Sequence, residues 1–86
     1  MYDRFMNHWK AFDAAELGAA LRQVRQSKGW DQEQLATRLG VTRMTVSRLE
    51  RGLPVSIDTA MRALSECGYA VVVAPKFSTV RIGDEA

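Results

Sequence analysis

The apolar positions of this chain fall into four stripes with helical spacing, separated by short polar breaks. The first stripe follows Asp13 and Glu16, which have the spacing of a capping box. Its apolar members recur at intervals of three and four residues: Leu17, Ala20, Leu21 and Val24. The pattern predicts a first helix over residues 14–28, which stops at Gly29.

Two shorter stripes come next. Asp31 is a candidate N-cap for a second helix over residues 32–39, and Gly40 can end that helix in a left-handed conformation. Thr42 is a candidate cap for a third helix, which a glycine and a proline beyond it prevent from continuing. The expected buried positions of these two helices are Leu35, Ala36, Leu39, Val46 and Leu49.

Ser56 opens a fourth helix that is expected to stop at Gly68. The residues expected to face inward on it are Ile57, Ala60, Met61 and Leu64. A run rich in β-branched residues follows and is closed by Pro75, which predicts a single strand. The strand residues are Tyr69, Ala70, Val71, Val72, Val73 and Ala74.

A single strand needs a partner, because its backbone donors and acceptors are unpaired along both edges. The same strand of a second copy can supply one, antiparallel across a two-fold axis, since such an interface is self-complementary. The alternative is an internal hairpin in which Thr79–Ile82 returns through a turn at Pro75 and Lys76. We favour pairing in a homodimer, because Ser78 and Gly83 make the return strand short.

The distribution of charged and apolar residues indicates what kind of surface this protein meets. The 86 residues carry a net charge of only +2, yet the segment from Arg22 to Arg51 has seven basic residues against three acidic ones. A local positive field of this kind suits a surface that meets phosphates. The chain has no apolar run long enough to cross a bilayer, and residues 1–12 lack the continuous apolar run of a signal peptide, so a cytoplasmic protein without membrane contact is expected.

The sequence offers little for catalysis or for a cofactor. It has no glycine-rich phosphate loop and no histidine near a candidate nucleophile, so an enzyme is not expected. Cys67 is the single cysteine, which excludes an internal disulfide and a multi-cysteine metal site. We interpret it as a small buried residue near a helix end rather than as a reactive thiol. No metal and no cofactor are predicted.

The expected organisation is an N-terminal extension over 1–12, a helical domain over 13–68, a dimerisation strand over 69–75 and a tail over 76–86. The extension carries an apolar stripe with the spacing of a helix. Its members are Tyr2, Phe5, Met6, Trp9 and Phe12. We interpret it as a segment that packs against its own body or the dimer mate, and the alternative is an arm that binds DNA or a partner protein.

One face of the third helix is left free if Val46 and Leu49 point into the core. Four residues lie on that face: Arg43, Met44, Ser47 and Arg48. Arginine can donate twice to guanine O6 and N7, and a methionine can contact a thymine methyl group. Arg43 and Met44 in the first turn, with Arg48 further along, are therefore what a helix entering a DNA major groove would need.

The longer pattern from Gln32 through Leu35, Ala36 and Gly40 to Gly52 resembles the lambda-repressor-like helix-turn-helix proteins of the Xre family. The resemblance covers roughly residues 17–64. It implies an all-α, compact domain of four to five helices, to which the C-terminal strand adds pairing across a homodimer.

The resemblance also implies roles for individual residues. Gln32 would bind a DNA phosphate and brace the third helix, and Arg25 would form a partly buried ion pair with Glu50. Asp31 departs from the threonine that is common in the family, and a carboxylate there can weaken a phosphate contact. By the same resemblance, the base contacts are expected from Arg43, Met44, Ser47 and Arg48. The backbone contacts to DNA are expected from Gln32, Thr42, Thr45 and Arg51.

Within this family, the residues Val24, Arg25, Gln26, Gly29 and Trp30, the short fourth helix and the terminal strand resemble HipB-type antitoxins. That resemblance implies a homodimer that binds double-stranded operator DNA with an inverted repeat and holds a HipA-like kinase toxin inactive. A solitary Xre-family regulator is the alternative. A protein-interaction adaptor is a further alternative. The recognition face of an adaptor would be acidic or apolar, whereas the corresponding face of this chain carries Arg43, Arg48 and Arg51.

Overall fold

A computed structural model describes the backbone of residues 2–3 and 8–77 and the side chains of residues 9–77. Four helices make up the body: α1 (Ala14–Ser27), α2 (Gln32–Leu39), α3 (Arg43–Glu50) and α4 (Ile57–Glu66). A short antiparallel ladder of β1 (Tyr2–Asp3) and β2 (His8–Trp9) precedes them, with Tyr2 opposite Trp9. The predicted all-α, four-helix fold is confirmed.

Each helix begins where the sequence predicted a polar cap. In every case the cap side chain accepts a hydrogen bond from the backbone N–H three residues later, which satisfies one of the free donors of the first turn. The four caps are Asp13, Asp31, Thr42 and Ser56. Gly40 ends α2 with φ +72, a left-handed conformation that a side chain would strain. The turn between α2 and α3 is therefore fixed locally.

The core lies between the four helices. α3 packs against both α1 and α2, and α4 packs against α2. Leu21, Leu35 and Val46 are almost completely buried at the centre. The other buried apolar residues are Ala20, Val24, Ala36, Leu39, Leu49, Ala63, Leu64 and Cys67. Because α3 is anchored from two sides, its remaining face is held in a fixed orientation toward solvent. None of the helices in the described part of the chain is long and apolar enough to cross a membrane.

Gly18 allows α1 and α3 to meet backbone to backbone. A Cβ atom at this position would lie only 2.6 Å from the carbonyl oxygen of Glu50, which is closer than real Cβ contacts allow. This role of Gly18 was not predicted from the sequence. The signal available was a glycine inside an otherwise apolar helical stripe, where it lowers helix propensity and so suggests a packing role.

The inward face predicted for α4 is wrong at two positions. Ile57 is 80% exposed and Met61 is 47% exposed. The buried face is rotated and consists of Ala60, Ala63, Leu64 and Cys67, with Ala60 only partly buried. The observed and predicted stripes have the same helical spacing, so periodicity alone could not separate them. The small residues at positions 63 and 67 are fully buried where α4 meets the rest of the core, which leaves no room for the bulkier side chains there.

The N-terminal extension also differs from its prediction. Residues 2–3 and 8–9 pair as strands, so the helix suggested by the apolar stripe is not formed there. One physical reason is that Asp13 has extended backbone angles as the cap of α1, which separates the extension from α1. A separate helix of at most twelve residues is marginal in water. Trp9 packs against the core, whereas the predicted stripe members Phe5 and Met6 lie outside the described residues.

Residues 69–75 follow α4 without forming a helix or a strand in the single chain. No backbone hydrogen bond joins residues 70–74 to other described residues. Val71, Val72 and Val73 are 47%, 56% and 95% exposed. A strand forms only when it pairs with another, and the predicted partner is the same segment of a second copy. A single chain cannot show such pairing, so the dimerisation strand stays a prediction. The alternative return strand, Thr79–Ile82, and the rest of the tail from residue 78 lie outside the described residues.

Candidate nucleic-acid interface

The outer face of α3 presents the residues predicted to read DNA bases. Val46, Leu49 and Glu50 are buried beneath it, so the opposite face is directed to solvent. Arg43 and Met44, in the first turn, are exposed. Ser47 and Arg48, one turn further, are half-buried. The first turn of α3 is therefore the most accessible part of this face.

A buried ion pair lies under that face. Arg25 of α1 donates from Nε to Glu50 Oε2 at 2.5 Å and from Nη2 to Glu50 Oε1 at 2.9 Å. The two side chains are only 8% and 3% exposed. Arg25 also donates from Nη1 to the carbonyl oxygen of Trp30 at 2.8 Å, which ties the pair to the turn before α2. The structure thus brings together the two residues that the family resemblance paired.

The environment of Arg25 favours its charged form. The hydrogen bond to Glu50 raises the pKa of the Arg25 guanidinium above its ordinary value, and this effect exceeds the opposing effect of burial. The charge on Arg25 is therefore permanent at any physiological pH. A charged group in this position requires its carboxylate partner, because an uncompensated buried charge is costly.

Gln32 connects this ion pair to the outer face. Its Nε2 donates to Glu50 Oε1 at 3.0 Å, and its Oε1 accepts from Arg43 Nη1 at 3.0 Å. Hydrogen bonds therefore run without a break from Arg25 through Glu50 and Gln32 to Arg43; we call these four residues the hydrogen-bonded chain. The family resemblance implied that Gln32 braces the third helix, and the structure bonds Gln32, the first residue of α2, to Arg43, the first residue of α3.

The other predicted contact residues lie around the two ends of α3. Thr42 and Thr45 are at its N-terminal end, with their hydroxyl oxygens 3.1 Å apart. Arg48 donates to the carbonyl oxygen of Pro54 at 3.1 Å, and Arg51 donates from Nε to the carbonyl oxygen of Ser47 at 3.3 Å. Sequence reasoning did not find the bond from Arg48 to the loop after α3. Each of these arginines keeps further N–H groups for a ligand.

Asp31 and Trp30 both have structural roles. Asp31 accepts from the backbone N–H of Gln34 at 2.8 Å, and the Gln34 side chain in turn accepts from the Asp31 N–H at 2.8 Å. The carboxylate that departs from the family threonine therefore completes a capping box. Trp30 packs against the core, and the guanidinium of Arg38 lies 4.0 Å from its ring centroid. Trp30 is consequently part of the packing rather than an open platform for base stacking.

The profile of a helix-turn-helix family, HTH_3, matches residues 21–72. A putative HTH-type transcriptional regulatory protein of Halorubrum lacusprofundi is 44% identical over 45 residues, which is 52% of this chain and 14% of that protein. Antitoxin HipB of Escherichia coli O6:H1 is 37% identical over 49 residues, which is 57% of this chain and 51% of that antitoxin.

The fold agrees with these matches. A chain in the structure of a HipA-HipB-O2-O3 complex superposes with a TM-score of 0.71 and 25% identity, over 79% of this chain and 97% of that chain. This chain spans about half the length of the HipB antitoxin that it matches and a smaller part of the Halorubrum protein. The matched region contains α2, α3, α4 and the second half of α1, and therefore the whole hydrogen-bonded chain.

Proposed function

This chain belongs to the helix-turn-helix family HTH_3 of DNA-binding regulators and is related to HipB antitoxins, and on that basis we propose that it is a sequence-specific transcriptional repressor and the antitoxin of a toxin-antitoxin pair. The proposal that the chain binds DNA is supported by one observation, the outer face of α3. A rigidly anchored helix presents an exposed arginine in its first turn, with further arginines at positions 48 and 51.

The proposed mechanism places α3 in the major groove. The base contacts are assigned to Arg43, Met44, Ser47 and Arg48. The contacts to the sugar-phosphate backbone are assigned to Gln32, Thr42, Thr45 and Arg51. The positive end of the α3 dipole adds to the attraction for phosphate, because free backbone N–H groups gather there and its first turn has no acidic residue. Repression follows when the bound protein blocks access of the polymerase.

The operator is proposed to be an inverted repeat, read by a homodimer. The exposed valines of residues 71–73 and the unpaired backbone around them favour antiparallel pairing with the same segment of a second copy. Two α3 helices related by a two-fold axis would enter successive major grooves about 34 to 36 Å apart. Light scattering tests this step: we expect twice the monomer mass at micromolar concentration, and a monomer would contradict it.

The partner of the antitoxin is proposed to be a HipA-like kinase toxin. Support comes from the relation to HipB and from the fold shared with a chain of a HipA-HipB complex. Co-expression with a kinase-like protein encoded beside it should give a stable complex in which kinase activity is suppressed. A chain that neither binds such a protein nor has one encoded nearby would instead be a solitary regulator.

Base reading can be separated from general DNA affinity. Arg43→Ala should cost about 1 to 3 kcal/mol on the preferred duplex and relax the preference at one base pair, because a bidentate contact to guanine is lost. Arg51→Ala is the matched control: it removes a proposed phosphate contact and should weaken preferred and random duplexes by similar factors. Equal losses on both duplexes for Arg43→Ala would contradict the assignment.

A further inference from the structure

We infer that the groove between the N-terminal extension and the segment after α4 binds an anionic amphiphile of the long-chain carboxylate class, with its chain on the apolar floor and its head among lysines. The groove has a volume of about 1060 Å³. Clefts that hold small molecules have volumes of about 300 to 1000 Å³, so this groove is large enough for such a ligand. None of the residues assigned to DNA contacts lines it. The inference therefore goes beyond the proposed function and does not depend on it.

The groove has an apolar floor and sides that come from opposite ends of the chain. Val24 of α1 and Leu64 of α4 line it and are buried, so the two helices supply its floor. Trp9 and Phe12 of the extension line one side, and residues 69–76 line the other. An alkyl chain in this position would remove apolar surface of both the ligand and the protein from water, which favours binding.

All three lysines of the chain line this groove. They are Lys10, Lys28 and Lys76, whereas the basic residues on the outer face of α3 are arginines. The three lysines are exposed, and none of them forms an ion pair with another described residue. The described lining of the groove contains no aspartate or glutamate. The groove therefore carries positive charge without a counter-charge from its described lining, and this favours an anionic ligand.

Two of the ammonium groups can be located by their neighbours. Lys28 Nζ lies 3.8 Å from the position that a Cβ atom would take on Gly68, just after α4. Burial raises the pKa of the adjacent Cys67 thiol, and the positive charge of Lys28 opposes that rise. Lys76 Nζ lies 5.7 Å from the ring centroid of Phe12. Positive charge is thus placed both beside the buried end of α4 and beside an aromatic ring of the extension.

The combination of lysines with an apolar floor selects the class of anion. A lysine ammonium is a compact point charge that can meet a single carboxylate head, whereas planar, bidentate recognition of phosphate is the strength of arginine. A small polar anion would leave the floor of the groove exposed to water. A carboxylate with a long alkyl chain satisfies both the ammonium groups and the floor.

Calorimetric titration of the full chain with dodecanoate, below its micelle concentration, tests the inference. We expect saturable binding. Decanoate should bind about tenfold more weakly, which is the effect of two buried methylene groups. Dodecyltrimethylammonium has the same chain with a positive head, so it should bind at least about tenfold more weakly than dodecanoate, because repulsion from the lysines replaces attraction.

Variants of the lysines test the role of charge. Lys28→Met and Lys76→Met should each weaken dodecanoate binding about two- to fivefold, the range of an exposed ion pair. The triple variant that adds Lys10→Met should weaken it at least about tenfold. Arg22→Met is the matched control: it removes the same charge from an exposed position of α1 outside the groove and should leave the affinity unchanged.

The two tryptophans of the chain report where the probe binds. Trp9 lines the groove and Trp30 does not. In NMR spectra of ¹⁵N-labelled protein, dodecanoate should therefore shift the indole N–H signal of Trp9 and leave that of Trp30 in place. A shift of the Trp30 signal without one of Trp9 would place the probe elsewhere and overturn the inference.

The other contradicting outcomes are distinct. Absence of saturation, or equal affinity for dodecanoate and dodecyltrimethylammonium, would show that the groove recognises no carboxylate. Binding to phosphatidylglycerol vesicles without binding of monomeric dodecanoate would identify a membrane contact instead. If dodecanoate bound only at protein concentrations too low for dimerisation, a second copy would be the occupant and the inference would be wrong. Each of these outcomes leaves the affinity for DNA untouched, so the proposed function is tested separately.

Discussion

Replacing Glu50 by alanine is the sharpest test of the architecture, because it leaves Arg25 charged in the interior. Among the described residues, the Arg25 guanidinium makes three hydrogen bonds, of which two end on Glu50 and one, to Trp30, would remain. The Arg25 side chain is 8% exposed, so water cannot replace the lost acceptor without opening the structure. Removing one partner of a buried ion pair costs about 3 to 5 kcal/mol.

That loss is large for a domain of this size. Small domains have a total free energy of unfolding of about 5 to 15 kcal/mol. For 60 to 100 residues, 1 kcal/mol shifts Tm by about 4 to 8 °C, so Glu50→Ala should lower Tm by at least about 12 °C. Far-UV circular dichroism during thermal unfolding measures the shift, and a urea titration checks that the m-value is unchanged.

The chain provides its own control. Arg38 and Glu66 form an ion pair of 3.3 Å whose side chains are 48% and 36% exposed. Glu66→Ala should cost at most about 1 kcal/mol, since exposed pairs contribute little. A double change of Arg25→Met and Glu50→Leu should recover much of the stability, because it removes the buried charge as well as its partner. A Tm shift for Glu50→Ala no larger than that for Glu66→Ala would show that the buried pair contributes no more than an exposed one.

Three further predictions concern packing, thiol chemistry and assembly. Gly18→Ala should destabilise by about 1 to 3 kcal/mol in urea unfolding although alanine favours helices, because its Cβ meets backbone atoms of α3; a more stable variant would show that the helices can separate freely. Burial raises the pKa of the Cys67 thiol above its ordinary value of 9.0, so its stabilising contribution is present below pH 9 and is lost as the pH rises through the raised pKa. A thiol reagent at pH 8 should therefore label unfolded protein much faster than native protein, and equal rates would contradict this. Val72→Lys should give the monomer mass in light scattering while retaining the helical circular dichroism, and a persistent dimer would place the interface elsewhere.

The sequence predicted the helices well because their signals are local. The caps at Asp13, Asp31, Thr42 and Ser56 each act within three residues, and Gly40 needs only its own backbone conformation. The base-reading candidates followed from helical geometry once Val46 was assigned to the core. Such features depend on nearest neighbours along the chain, and sequence spacing contains that information.

Features that depend on contacts between distant segments could not be obtained in this way. The bond from Gln32 to Arg43 joins two helices across a turn, and the bond from Arg48 to Pro54 depends on the path of a loop. On α4, Ile57 was expected to be buried but is exposed. The inward face of this helix depends on which side chains are small enough to fit against the core, and helical periodicity does not contain that information. The pairing of residues 69–74 depends on a second molecule.

The outer face of α3 is proposed to read a DNA sequence. The most direct measurement is the affinity of the purified protein for the region upstream of its own gene, compared with a scrambled duplex of the same length and composition at moderate salt. We expect the wild-type protein to prefer the upstream region about a thousandfold or more, as is typical of specific DNA-binding proteins, and we expect this preference to be lost in Arg43→Ala combined with Arg48→Ala. Equal affinity of the wild-type protein for both duplexes would contradict it.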